Sequence, residues 1–208
     1  MPSLEMLIAF TGASLVLAFI PGPDNIFVMT QAAMRGWKVG VSVTLGLCTG
    51  LMVHTALVAF GVAVIFQKSA LAFGLLKFAG AAYLLYLAYG AFRAGPAALE
   101  GQALRPEPFW RLYLRGIVMN VTNPKVAIFF LAFLPQFITA SAGPIVPQVA
   151  VLGAVFIACS LFAFSLISVL AGAISARLMR SEKAQTMLNR VAALVFVGLA
   201  AKLATAHN

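Results

Sequence analysis

The recurrence of apolar runs near the length that crosses a bilayer constrains this chain more than any other feature of its sequence. Taking about 20 apolar residues per crossing, six helices are read, roughly over 5–34, 39–66, 70–93, 112–138, 147–176 and 187–206. The sixth is short in its uninterrupted part, Val191 to Ala201, and crosses only if Arg190 and Lys202 snorkel toward opposite interfaces. A hairpin that fails to span is the alternative. Composition points the same way: 62% of residues are apolar and 9% charged, whereas a soluble domain gives about a quarter of its residues to charge. The expected fold is all-α and integral to a membrane. The net charge of +9 does not imply a nucleic-acid partner, because membrane proteins gather Lys and Arg on their cytoplasmic side. The segment Met1–Glu5 has no basic region ahead of the first apolar run, and no small-residue cleavage site precedes Pro21, so that run is expected to stay as a helix.

Basic residues alternate between the connections. Arg35 and Lys38 follow the first helix; Arg93, Arg105, Arg111 and Arg115 lie around the third connection; Arg177, Arg180, Lys183 and Arg190 lie around the fifth, ten of the 14 in all. The N-terminus and the Thr139–Val146 connection carry none. The positive-inside rule then puts connections 1, 3 and 5 in the cytoplasm and both termini outside, as an even number of spans requires. The segment 94–110 is rich in Gly and Pro and reads as a solvated cytoplasmic linker between two three-helix halves, 1–93 and 111–208.

Each half opens with an interrupted helix. Pro21-Gly22-Pro23-Asp24-Asn25 breaks the first, and Asn120-Val121-Thr122-Asn123-Pro124-Lys125 breaks the fourth. Proline removes a backbone donor and clashes with the preceding turn, and in lipid the freed backbone groups must be satisfied by protein, water or solute. Paired breaks in corresponding segments of two halves point to a transporter's binding site, in an arrangement expected to be an inverted repeat. Each break lies on the order of 12–16 Å from the cytoplasmic helix end by helix rise, so both line one cavity in this reading. Strict inversion would set the second break nearer the outside, and the halves show no residue-by-residue similarity. Kinks that serve only packing are the alternative.

Asp24 is the acidic residue set deep in a span, and Lys125 is the basic residue beside the other break. A lone charge at the bilayer centre costs roughly 2.5–3.5 kcal/mol, so each must face protein or water and find a partner. Two readings stand. The pair forms a structural ion pair, or Asp24 receives a cationic group or a proton while Lys125 and freed amides receive a carboxylate, which suits the zwitterion of an amino acid.

These residues carry a resemblance to a known family. Pro21-Gly22-Pro23-Asp24 followed by Arg35-Gly36-Trp37-Lys38-Val39-Gly40, then Lys77-Phe78-Ala79-Gly80-Ala81-Ala82-Tyr83-Leu84, Asn123-Pro124-Lys125 and Phe130-Leu131-Ala132-Phe133-Leu134-Pro135-Gln136-Phe137, resemble in order the LysE/RhtB family of bacterial amino-acid exporters. The resemblance runs nearly end to end, making 1–208 a single transporter domain. It implies a multi-pass protein of the bacterial inner membrane that exports amino acids or close derivatives by proton antiport, with the lipid bilayer, protons and a small amino acid as partners, and neither enzyme activity nor a cofactor. It assigns Asp24, Asn25, Asn123 and Lys125 to substrate binding and the breaks at Pro21, Gly22, Pro23 and Pro124 to the substrate pathway, with Lys77 and Tyr83 as weaker candidates.

Among the other polar residues, His54 near the middle of the second helix is a proton-coupling candidate beside Asp24, since imidazole changes charge near neutral pH; a neutral ring bonded between helices is the bland reading. Asn25, Gln31 and Asn120 either contact solute or satisfy backbone freed by the breaks. Gly46 and Gly50 form a GxxxG pattern that allows close helix packing within one subunit or between two, so a homo-oligomer stays open. No Walker-type phosphate loop occurs, so transport must draw on a gradient. Two alternatives remain: export of heavy-metal ions, as in a branch of the same superfamily, and thiol chemistry through Cys48 and Cys159, which sit one in each half without a CxxC partner. No metal site is read from their spacing.

Overall fold

The computed structural model describes residues 2–20, 22–68, 70–93, 107–171 and 181–205, and every regular element among them is helical. Pro21, the linker from 94 to 106, and 172–180 with Arg177 and Arg180 lie outside the described residues, as do the side chains of Lys77 and Lys202.

The first apolar run is two helices. α1 (Leu4–Phe19) starts at the N-cap Ser3, whose hydroxyl accepts from the Met6 amide, and α2 (Pro23–Arg35) starts with proline in its first turn, where no backbone donor is needed. They meet at 59°. At Gly36 φ is +94°, a conformation that favours glycine, and this one residue turns α2 into α3 (Trp37–Lys68). α4 spans Ala70–Arg93. The fourth run repeats the break: α5 (Phe109–Val121) and α6 (Pro124–Ile128) are joined at a 50° bend, and the chain continues through a π turn (Phe129–Phe133) and a 3-10 turn (Leu134–Phe137). α7 (Ile145–Leu170) and α8 (Glu182–Thr205) complete the chain. The sixth run thus begins at Glu182, ahead of the expected 187.

Trp37–Gly61 and Ile145–Leu170 are each long and apolar enough to cross a membrane, and each bent pair meets the same requirement as one crossing. α4 and α8 carry shorter apolar stretches, Phe78–Gly90 and Asn189–Gly198. Two to four crossings therefore follow from length and composition among the described residues, and the other two rest on the expectation of six. An all-helical membrane protein is what the structure shows.

Packing sets elements of the first half against their counterparts in the second: α3 against α7, α4 against α8, and α2 against α5. The most extensive contact, α3 with α5, depends on glycine. A Cβ on Gly46 would run into the Tyr113 carbonyl oxygen, one on Gly116 would stand 3.0 Å from the Leu47 nitrogen, and one on Gly50 would stand 2.7 Å from the Asn120 Cβ. The GxxxG pattern is therefore used inside the chain, bringing α5 backbone to backbone with α3.

Two apolar cores result. One holds Phe10, Phe129, Phe130, Phe133, Phe137 and Phe156; the other holds Val28, Val43, Leu47, Leu112 and Phe164. Along the first run, residues of the first core (Leu17, Ile20) and of the second (Val28) flank Asp24 and Asn25; along the fourth, Leu112 and Phe129 flank Asn120 to Lys125. Both breaks sit 13 helical residues from the basic end of the molecule, about 20 Å by helix rise. That is deeper than the expected 12–16 Å, because α5 begins at Phe109, ahead of the expected 112, and α2 runs on to Arg35.

Gly46→Ala should lower stability by about 1–3 kcal/mol, the usual cost of overpacking a tight contact. Gly61→Ala, where an added Cβ meets nothing within 4 Å, should be neutral or stabilising by about 0.5–1 kcal/mol. Thermal unfolding of both variants in detergent checks the contrast.

Candidate functional site

Breaking the first run leaves the last carbonyls of α1 without their intrahelical donors. Two side chains from the predicted site reach them. Asn25 Nδ2 donates to the Ala18 carbonyl at 2.6 Å, and Lys125 Nζ, from the other half of the chain, donates to the Leu17 and Ile20 carbonyls at 3.4 and 3.3 Å. A cation at the C-terminal end of a helix is also favoured by the helix dipole. Room for the ammonium comes from Gly22, where an added Cβ would lie 3.0 Å from Lys125 Nζ. Asn123 holds Lys125 in place from behind: its Oδ1 caps α6 by accepting the Lys125 amide at 3.0 Å.

Asp24 follows Pro23 in the first turn of α2, where a carboxylate is favoured by the helix dipole. It is 2% exposed and Lys125 6%. Lys125, Asn123, Asn120 and His54 all face it, yet it forms no salt bridge with Lys125, the Arg35–Glu107 pair being the one formed among the described residues. Asn120 Nδ2 approaches Asp24 Oδ2 at 3.4 Å. The structural ion pair is thus absent as a direct contact, and Lys125 instead spends its hydrogen bonds on backbone. Among the described residues, Asp24 Oδ1, Asn25 Oδ1 and Asn120 Oδ1 are buried acceptors with no hydrogen-bond donor, and Asn123 Nδ2 is a buried donor with no acceptor.

His54 reaches this group through backbone. Its Nε2 lies 3.1 Å from the Asn120 carbonyl oxygen; a carbonyl only accepts, so Nε2 carries the proton. The ring also packs on Phe130, with centroids 5.6 Å apart. This is the bonded, interhelical histidine of the bland reading, and it sits beside the candidate acid. Gly46, Gly50 and His54 fall four residues apart on α3, so the glycines that thin the helix lead directly to the imidazole.

The structure therefore brings together Asp24, Asn25, Asn123, Lys125 and His54, joined by Asn120. Gly22, Pro23 and Pro124 shape the two breaks that position them; Pro21 lies outside the described residues. Tyr83 meets Tyr86, ring to ring at 5.8 Å, as a packing residue does. Ser168 donates to the Phe164 carbonyl one turn back at 2.8 Å. Cys48 and Cys159 are buried and not bonded to each other. No group of three or more His, Cys, Asp or Glu able to hold a metal ion occurs among the described residues. Sequence reasoning missed the backbone carbonyls of Leu17, Ala18 and Ile20, which no residue letter marks. It also read Arg35 only as a topology charge, although its spacing of four from Gln31 and eleven from Asp24 places all three on one face of α2.

The family profile described as LysE type translocator matches residues 15–207. Among curated proteins, the chain is 34% identical over 206 residues, 99% of each chain, to the homoserine/homoserine lactone efflux protein of Salmonella typhimurium, and 32% identical with the same coverage to that of Salmonella typhi. It is 27% identical to the uncharacterized membrane protein YrhP of Bacillus subtilis, covering 96% of this chain and 98% of that one. No solved structure matches. The chain belongs to the LysE type translocator family.

Lys125→Met should destabilise the protein by about 1–3 kcal/mol, because the Leu17 and Ile20 carbonyls lose their donor. The double variant Lys125→Met/Asp24→Asn should recover part of that loss, since it no longer leaves a buried carboxylate facing no cation. A double-mutant cycle of thermal unfolding measures this; strictly additive losses would mean the two charges do not act on each other.

Proposed function

We propose that this translocator exports small neutral amino acids of the homoserine type, exchanging them for protons across the bacterial inner membrane. The observation that carries the reading is the meeting, between two broken helices, of a buried acid and a buried base that are not paired with each other. Asp24 and Lys125 together give the cluster no net charge, which matches a zwitterion and disfavours a substrate with a net charge. An ammonium has three N–H donors, and the cluster holds three acceptors without donors: Asp24 Oδ1, Asn25 Oδ1 and Asn120 Oδ1. The substrate carboxylate falls to Lys125 and the Asn123 amide. The relatives named for homoserine efflux support the class, because homoserine is a zwitterion with both the ammonium that the three acceptors suit and the carboxylate that Lys125 suits.

In this mechanism the basic end, with Arg35, Lys38, Arg111 and Arg115, faces the cytoplasm and both termini lie outside. Six crossings in two halves rock about the paired breaks. Asp24 releases or takes a proton as the ammonium arrives or leaves. His54, bonded to the Asn120 carbonyl while the Asn120 side chain approaches Asp24, is placed to respond to that change.

Purified protein in liposomes, given an imposed pH gradient, should accumulate labelled homoserine or another neutral amino acid. Asp24→Asn should abolish the gradient-driven component, a loss of tenfold or more. Uptake that is unchanged in Asp24→Asn would remove Asp24 as the coupling acid, and no uptake of any amino acid by folded wild type would remove the exporter reading.

A further inference from the structure

Arg35 ends α2 and belongs to the basic set that orients the chain, but it does not stand in solvent. Its side chain is 11% exposed, and Nε and Nη1 are buried with no hydrogen-bond acceptor among the described residues. Its one charged partner among them is Glu107, whose Oε1 lies 3.8 Å from Nη2, too far for a hydrogen bond. A guanidinium is built to hold a carboxylate through two parallel N–H···O bonds at about 2.7–2.9 Å. Glu107 offers one oxygen, at a longer distance.

Arg35 sits where α2, α3 and the start of α5 meet. Gly36 turns the chain immediately after Arg35, and the Ser42 hydroxyl of α3 donates to the Phe109 carbonyl at 3.3 Å, tying the start of α5 beside Glu107 to α3. Arg115 is taken up over the Phe27 ring, 4.6 Å from its centre, and Lys38 over Trp37 at 5.9 Å, so their charges are engaged elsewhere. One turn deeper on α2 lies Gln31, 5% exposed, whose Oε1 has no donor in the protein; two turns beyond is Asp24. Arg35 and Asp24 are eleven residues apart, about 16 Å along the helix. One helix face thus carries a cation, a neutral acceptor and an acid in sequence between the basic end and the breaks, with Val28 of the second core buried between Gln31 and Asp24.

We propose that Arg35 is a carboxylate-binding station at the basic end of the pathway, with the Glu107 carboxylate as a placeholder that an incoming amino-acid carboxylate displaces. The role in transport rests on the exporter reading above; the binding of a carboxylate does not. Displacement is favourable because Glu107 is held at one nitrogen and its side chain is 31% exposed to water, whereas the newcomer forms the bidentate pair. The amino acid then proceeds with its ammonium toward Gln31 Oε1 and Asp24, exchanging Arg35 for Lys125 as the carboxylate's partner.

The chain has two tryptophans, Trp37 and Trp110, both at this end, so their fluorescence reports binding there. Full-length protein in nanodiscs is titrated with L-homoserine and with its carboxamide, which keeps the ammonium and lacks the carboxylate. Arg35→Gln should reduce the preference for the acid over the amide by ~10-fold or more, the value of a charge-assisted bidentate contact. Glu107→Gln should raise that preference several-fold by removing the competitor. Preferences unchanged in both variants would overturn the proposal. Should Arg35→Gln fail to fold, Glu107→Gln decides alone, a raised preference supporting the station and an unchanged one overturning it. Liposome uptake by wild type separates the two readings: Arg35-dependent binding without uptake keeps the station and removes the exporter, while uptake with a preference indifferent to Arg35 does the reverse.

Discussion

A helix broken inside hydrocarbon must have its open backbone groups satisfied by something other than lipid, and the centre of this protein is organised around that requirement. The carbonyls at the end of α1 receive Lys125 Nζ and Asn25 Nδ2, and the start of α6 is capped by Asn123. Three of the carbonyls and one of the amides freed by the breaks are thus met by side chains adjoining a break, and Lys125 does so between segments about a hundred residues apart. Satisfying the backbone and assembling the polar cluster are one event. It leaves Asp24 close to a cation that is committed to carbonyls, which is why two opposite charges share a buried space without forming a salt bridge.

The cluster also needs close helix approach. Gly46 and Gly50 strip one face of α3 so that α5 can press its backbone and Asn120 against it. Asn120 then acts in two directions, with its carbonyl on His54 and its amide toward Asp24. A bulkier residue at either glycine would push α5 away and separate the imidazole from the acid. On either side the polar band is walled by apolar packing, the phenylalanines around Phe129 toward one end and Val28, Leu47 and Leu112 toward the other. The π turn at Phe129–Phe133 and the 3-10 turn after it fall in the first of these walls. Such irregular turns collect at functional positions in helices.

The chain belongs to a translocator family. Half-helices meeting near the middle of a membrane protein expose backbone dipoles and polar side chains to a solute without opening the chain to lipid. The same α2 face continues to Arg35, with Val28 of the second core buried between Gln31 and Asp24.

Much of this was written in the chain. Apolar run lengths, scarce charge and two proline breaks sufficed for a helical membrane protein with two interrupted helices, because hydrocarbon leaves few ways to bury a backbone. Asp24, Asn25, Asn123, Lys125 and His54 were legible for the same reason: a polar residue deep in an apolar run is costly and must be answered. Proximity was not legible. That Lys125 caps α1 instead of pairing with Asp24, that Gly46 and Gly50 face α5 within the chain, and that Arg35 is buried beside Glu107 are decided by which helix faces meet. A charge near a helix end reads alike in sequence whether it snorkels to water or turns inward, and backbone carbonyls have no letter. The sequence by itself determined which groups could not remain in lipid; tertiary packing alone decided which of them would satisfy one another, since that choice depends on distances of a few ångströms between segments about a hundred residues apart.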